Sequence, residues 1–251
     1  MDAGGSQPRD MKTTSLFDSR MRAPALICVA LILTAPPGYG VQQKTSREEA
    51  EFNISVAGKE IGREKFVIET AGDSVSSRST TSFHDPANKR QTVKIETELK
   101  MDSGFVPRDY QLRTDVDGQK GMMKGTFGQG EVMFEYLVRG NPRKSGLLVG
   151  QRYSILDTNV FHHFAFIGRM FDFNSREKTQ SMEVVIPQEL DNGVLKISDV
   201  GKEKVSVGGK KRELHHLKAD SGVVQIDLWI DDQRVLYKLA LPTRKIEVIR
   251  H

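Results

Sequence analysis

Between Thr92 and Asp102 apolar and polar residues alternate without a break. Val93, Ile95, Thr97, Leu99 and Met101 fall on one side, and Thr92, Lys94, Glu96, Glu98, Lys100 and Asp102 on the other. A period of two is that of a β-strand with one buried and one wet face. Similar faces recur at Phe52/Ile54/Val56, Phe66/Ile68/Thr70, Tyr110/Leu112/Thr114/Val116 and Val132/Phe134/Tyr136/Val138. They return at Val224/Ile226/Leu228/Ile230, Val235/Tyr237/Leu239/Leu241 and Ile246/Val248. Turn pairs separate them, among them Gly58-Lys59, Gly72-Asp73, Asp117-Gly118, Asp191-Asn192-Gly193, Gly208-Gly209 and Asp231-Asp232. Turns this short join antiparallel neighbours, so roughly thirteen strands are expected in one long meander. A twisted meander with one apolar face has to curl over on itself or be covered.

One stretch breaks the rhythm. Asp157 to Asp172 (DTNVFHHFAFIGRMFD) has no alternation, and Asp157 is placed to cap a helix. Val160, Phe164, Ile167 and Phe171 share one helical stripe, while Phe161, Ala165, Phe166 and Met170 leave little polar surface elsewhere. A helix apolar nearly all round is buried. The predicted fold is mostly β: an antiparallel meander curled into a half-barrel or barrel, with this one helix packed in or across it. The helix divides a seven-strand block from a six-strand block inside a single domain, 50–251.

The N-terminus follows another logic. Arg20 and Arg22 precede the apolar run from Ala23 to Ala35, and Gly38 and Gly40 then stand at −3 and −1 before Val41. Charged, apolar, small is the order of a secretory signal peptide, and the run is too short for a comfortable membrane span. Residues 1–40 are read as an N-terminal extension and signal peptide, with Met21 as an alternative start. Residues 41–49 are polar and aperiodic and read as a flexible tether. The expected location is the bacterial periplasm or envelope.

Composition narrows the chemistry. Of the 251 residues 37% are hydrophobic and 28% charged, as in a soluble globular protein, and the net charge is only +4. The basic pairs, such as Lys89-Arg90 and Arg143-Lys144, are scattered beside turns, with no concentrated basic face for nucleic acid. Cys28 is the only cysteine and lies in the apolar run, so the exported chain has no disulfide, cysteine ligand or cysteine nucleophile.

His162-His163 lie on the helix and His215-His216 on a strand. Neighbours point apart in both settings, so neither pair chelates as a unit. One histidine from each pair with Asp157 or Asp220 is the remaining metal arrangement, and no His-x-His or His-Glu-x-x-His spacing supports it. No cofactor and no metal is assigned. There is no Gly-x-Ser-x-Gly elbow, and the serines from 74 to 82 read as an edge strand. Asp231-Asp232 is the turn of the last hairpin, with Asp227 and Trp229 facing outward. No catalytic residue is assigned.

What remains is the apolar interior, which closes as a solid core or leaves a cavity. Val160, Phe161, Phe164, Ile167, Met170 and Phe171 are the candidate lining of an apolar pocket for a lipid, an acyl chain or a lipidated partner.

The opening Phe52-x-Ile54-x-Val56-x-Gly58-Lys59-x-Ile61-Gly62 hairpin, the Leu156-Asp157-x-Asn159 start of the aromatic helix and the closing Asp227-x-Trp229-x-Asp231 hairpin resemble a family of exported bacterial proteins of unknown function. That family is thought to share the curved half-barrel of the outer-membrane lipoprotein-localisation chaperones. The resemblance implies an envelope location and a concave apolar surface covered by a helix, and it transfers no functional residues. Three readings follow: a non-enzymatic envelope protein holding an apolar ligand against the helix; a structural or interaction module binding other envelope proteins; and a hydrolase using His162 or His163. The third requires a histidine and an acid within about 3 Å that open onto a cleft.

Overall fold

The computed structural model describes residues 45–251 except 86, 87, 89, 90 and 139, and these form one compact unit. The signal-peptide segment, Met21, Cys28 and Lys89-Arg90 lie outside the described residues. Eight strands come first: β1 (Thr45–Val56), β2 (Lys59–Ala71), β3 (Ser74–His84), β4 (Thr92–Asp102), β5 (Pro107–Val116), β6 (Gln119–Phe127), β7 (Glu131–Val138) and β8 (Asn141–Leu148). A short β9 (Tyr153–Ile155) leads into a single 3-10 turn (Phe161–His163) continuous with α1 (Phe164–Met170). Six strands follow: β10 (Thr179–Ile186), β11 (Asp191–Val207), β12 (Lys210–Asp220), β13 (Gln225–Ile230), β14 (Leu236–Leu241) and β15 (Ile246–Arg250).

All fifteen belong to one sheet, ordered β8-β7-β6-β5-β4-β3-β2-β1-β15-β14-β13-β12-β11-β10-β9. The first and last strands therefore pair in its middle, with Phe52 opposite Arg250. The sheet is not closed. Its edges, β8 and β9, are consecutive in the chain, and three bonds hold them near other parts of the sheet. Asn192 Nδ2 donates to Leu148 O at 2.6 Å, the Val149 amide to Gly130 O at 3.1 Å, and Tyr153 Oη to Gly128 O at 3.1 Å. Among the described strands only β9 and β10 run parallel. The helix between them supplies the crossover that a parallel pair needs.

The alternation in β4 becomes burial as expected: Ile95, Thr97, Leu99 and Met101 are buried. Four other readings are corrected. Strand β1 starts at Thr45, inside the stretch read as a tether, because Thr45 to Ala50 pair with Ala71 to Phe66. β3 is an interior strand, and Ser77, Ser79 and Thr81 face inward. Ser79 Oγ lies 2.8 Å from Thr97 Oγ1, one hydroxyl pair satisfied across strands, while Thr81 Oγ1 has no hydrogen-bond partner among the described residues. The β10–β11 turn is Pro187–Leu190, ahead of Asp191-Asn192-Gly193, which already belong to β11. On β14 a bulge opposite Trp229/Ile230 shifts the phase, so Leu236 is buried along with Leu239 and Leu241.

The helix is shorter than the 157–172 expectation. Asn159 adopts a left-handed backbone (φ 61°) and the Val160 amide bonds Asp157 O, which makes residues 157–160 a turn. At the far end Phe171 is extended. The ten helical residues lie against the concave face: Phe166 and Ile167, with Val160 just ahead of the helix, are buried with Phe52, Phe66, Ile155, Leu217, Leu228 and Val248. Gly168 sits where a Cβ would lie 3.0 Å from Ile230 Cδ1, so the helix approaches β13 closely only because that position carries no side chain.

Candidate functional site

The start of this helix is held by an acid from the sheet. Glu64 occupies an inward position of β2, next in phase to Phe66, and is fully buried. Its Oε2 accepts the backbone N–H groups of Phe161 (2.9 Å) and His162 (3.0 Å), two of the orphan donors of a helix N-terminus. Its Oε1 lies 2.7 Å from His162 Nδ1, and His162 Nε2 lies 3.1 Å from Ser77 Oγ. Asp157, expected to cap the helix, has other work. Its Oδ2 accepts from Tyr110 Oη at 2.5 Å, and its Oδ1 accepts the amides of Thr158 and Gln188.

His163 lies beside this network, its ring centroid 4.6 Å from that of His162. The Asp157 amide donates to His163 Nδ1 at 3.3 Å, which puts the ring proton on Nε2. Burial, with His162 alongside, holds the His163 pKa well below its usual value, so the ring is neutral. Burial also raises the Asp157 pKa, against the hydrogen bonds from Tyr110, Gln188 and Thr158 that lower it. Desolvation and the neighbouring Asp157 keep the Tyr110 phenol protonated far above its normal range.

Ser77, His162 and Glu64 are spaced as a nucleophile, base and orienting acid would be. All three are buried. Ser77 is 1% exposed and the other two 0%, and none of them borders the cleft or the surface grooves described below. The histidine–acid distance required of a hydrolase is met and the cleft is not. Glu64 Oε2 is already committed to the helix.

The second histidine pair is split by the strand, as adjacent strand residues must be. His215 Nε2 lies 2.9 Å from Asp232 Oδ1 and packs on Phe173. His216 Nε2 lies 2.9 Å from Asp227 Oδ1 and stacks on Trp229. Asp227, expected to face solvent, is buried by this pairing. No group of three His, Cys, Asp or Glu side chains among the described residues is arranged to hold a metal ion.

The six candidate pocket residues separate into two sets. Val160 and Ile167 are sealed in the core, and Met170 and Phe171 are nearly so. Phe161, just as buried, and the partly exposed Phe164 border a cleft of about 190 Å³ beside the start of the helix. Leu156, Val184, Leu241 and Ile246 supply more of its apolar wall, and Ser221, Glu189 and Arg244 stand at it as polar groups. Val194, 55% exposed, lines the same cleft, and Val223, 88% exposed, is two residues beyond Ser221 in the β12–β13 turn. The roomier depressions, up to about 670 Å³, are grooves over the strands bordered by charged residues such as Arg63, Lys94 and Asp115.

Sequence patterning missed Glu64 and the two Pro-led turns. A carboxyl group in phase with Phe66 and Ile68 was the available signal for the first, and the repeated Ile186-Pro187 and Leu241-Pro242 steps for the second.

These features define an open, β-barrel-like sheet with an internal helix. No family model matches the chain, and no curated protein matches it in sequence. Among solved structures it is similar to the crystal structure of a β-barrel-like protein of Domain of Unknown Function DUF1849 from Brucella abortus. The TM-score is 0.55, with 10% sequence identity, over 83% of this chain and 96% of that chain. At that identity the likeness is one of fold.

Proposed function

We propose that this is an exported, non-enzymatic protein of the bacterial envelope that binds the apolar end of a lipid, an acyl chain or a lipidated partner in the cleft beside Phe161 and Phe164. The observation that carries the reading is the cleft: partly buried Phe164 and exposed Val194 border it, over a floor of buried apolar side chains that includes Phe161 and Leu156. Exposed Val194 and Val223 add apolar surface at or next to it, and clustered exposure of this kind marks interaction sites. The volume is below the roughly 300–1,000 Å³ of pockets for drug-sized ligands, so it suits the end of a chain. Export rests on residues 21–40. Cleavage after Gly40 leaves only four residues before β1, so the mature chain enters the sheet almost at once. The kinship with lipoprotein-localisation chaperones belongs to this proposal as well.

Native mass spectrometry and solvent extraction of the purified protein test it. A co-purifying lipid or acyl species that is lost in a Phe161→Ser/Phe164→Ser variant supports it. A ligand-free protein that also fails to take up added acyl chains removes it. The second reading, an interaction module with a solid core, is favoured by the sealed Val160 and Ile167. It expects no lipid, and instead capture of envelope proteins that is lost when the outward strand charges are reversed.

A further inference from the structure

The β10–β11 and β14–β15 turns beside the cleft share one backbone shape. Ile186 and Leu241 enter with nearly identical angles (φ −115° in both), and Pro187 and Pro242 open a single 3-10 turn. Leu190 and Lys245 close it in the left-handed region, at φ 51° and 52°. Glu189 and Arg244 hold the same third position of the two turns, and both border the cleft. Their surroundings differ. Glu189 Oε1 accepts a hydrogen bond from Thr158 Oγ1 at 3.0 Å. Asp157, the other acid in the cleft wall, is buried and bound to Tyr110 and to backbone amides. Arg244 makes no ion pair and no side-chain hydrogen bond with the described residues. It is the ionisable group at this cleft whose donors remain unclaimed.

A guanidinium offers five N–H donors in a planar fork that matches a carboxylate. We infer that the occupant of the cleft is a medium-chain fatty carboxylate, its tail against Phe161 and Phe164 and its head group paired with Arg244. The inference rests on the apolar-cleft reading above and adds the head group to it. Glu189 opposes an anion at this rim, so the two matching turn positions act with opposite sign on a bound carboxylate.

Titration of the purified full chain at pH 7.5 with octanoate, octan-1-ol and acetate, followed by calorimetry or NMR shifts, tests this directly. Octanoate binds about 2- to 5-fold more tightly than octan-1-ol, the range of a solvent-exposed ion pair, and acetate binds far more weakly. Arg244→Gln abolishes the preference for octanoate without weakening octan-1-ol, and Glu189→Gln increases it. Thermal melts confirm that both variants fold. Equal affinity for octanoate and octan-1-ol, or a preference that survives Arg244→Gln, overturns the head-group assignment and leaves the apolar cleft standing. Acetate binding as tightly as octanoate also overturns it, because the tail then contributes nothing. Failure of both octyl probes to bind saturably overturns the cleft reading itself.

Discussion

Glu64 Oε1 lies 2.7 Å from His162 Nδ1, while Oε2 of the same side chain takes the first two amides of the helical segment. One buried acid on β2 thus fixes where the helix begins and how its first histidine is turned. Removing it strands several buried donors in an apolar interior, each costing about 1–3 kcal/mol. Glu64→Leu is expected to lose roughly 3 kcal/mol or more in urea unfolding, and Glu64→Gln, which keeps an acceptor for the amides, less than half of that. Equal losses in the two variants would show that the amide contacts carry no energy.

His163 makes stability depend on pH. Its folded pKa lies well below the usual imidazole value of about 6.5, so below that pH the unfolded chain binds a proton that the folded ring refuses. Stability from this group is fully present above about 6.5 and declines as pH falls, by up to about 1.4 kcal/mol per pH unit. Asp157 acts in the opposite direction. Its folded pKa is raised above 3.8, so its contribution is largest at acid pH and is lost as pH rises through the folded value. Between pH 7 and 5, His163→Gln should therefore flatten the decline in unfolding free energy relative to wild type. An unchanged slope would mean that the folded ring accepts the proton.

Phe164 and Phe166, two positions apart on the helix, should respond differently to truncation. Phe166 is fully buried, and Phe166→Ala is expected to cost about 3–5 kcal/mol. Phe164 is only partly buried at the cleft, so Phe164→Ala should cost clearly less, and its effect should be on uptake of an apolar probe dye. The pair of denaturation curves checks the first statement and dye titration the second. Similar costs would place Phe164 in the core.

Glu48, in the stretch that reads as a tether, holds two cations. It bonds Arg169 of the helix, and its Oε1 lies 2.6 Å from Arg250 Nη1 on β15. All three side chains are about 15–16% exposed, and burial already lowers the Arg169 pKa. Glu48→Ala leaves two partly buried guanidiniums facing each other and is expected to cost about 2–4 kcal/mol, below or at the low end of the range for breaking a buried pair because solvent still reaches this one. A double-mutant cycle with Arg169→Ala should return a coupling of about 0.5–3 kcal/mol. A coupling near zero would return residues 45–49 to the role of a simple lead-in.

The strands were legible in the chain because each is a local pattern: Val93 to Met101 alternate at the period of the pleat, and paired glycines and aspartates mark most turns. The helix was legible for the complementary reason, since an all-round apolar stretch such as Phe161 to Phe171 has to be buried wherever the chain runs. Tertiary structure decided what local pattern does not encode. Glu64 and Glu48 read as ordinary polar residues until β2 turns one toward the helix N-terminus and β1 sets the other between Arg169 and Arg250. Ser77 and Ser79 read as an edge strand because a hydroxyl carries no sign of the histidine or threonine it will meet across the fold. Likewise, six apolar residues on one short segment were indistinguishable as pocket lining until packing against the sheet buried five of them, left Phe164 partly exposed and set Phe161 and Phe164 at the cleft. Periodicity determines which face is apolar, and long-range contacts alone determine what that face meets.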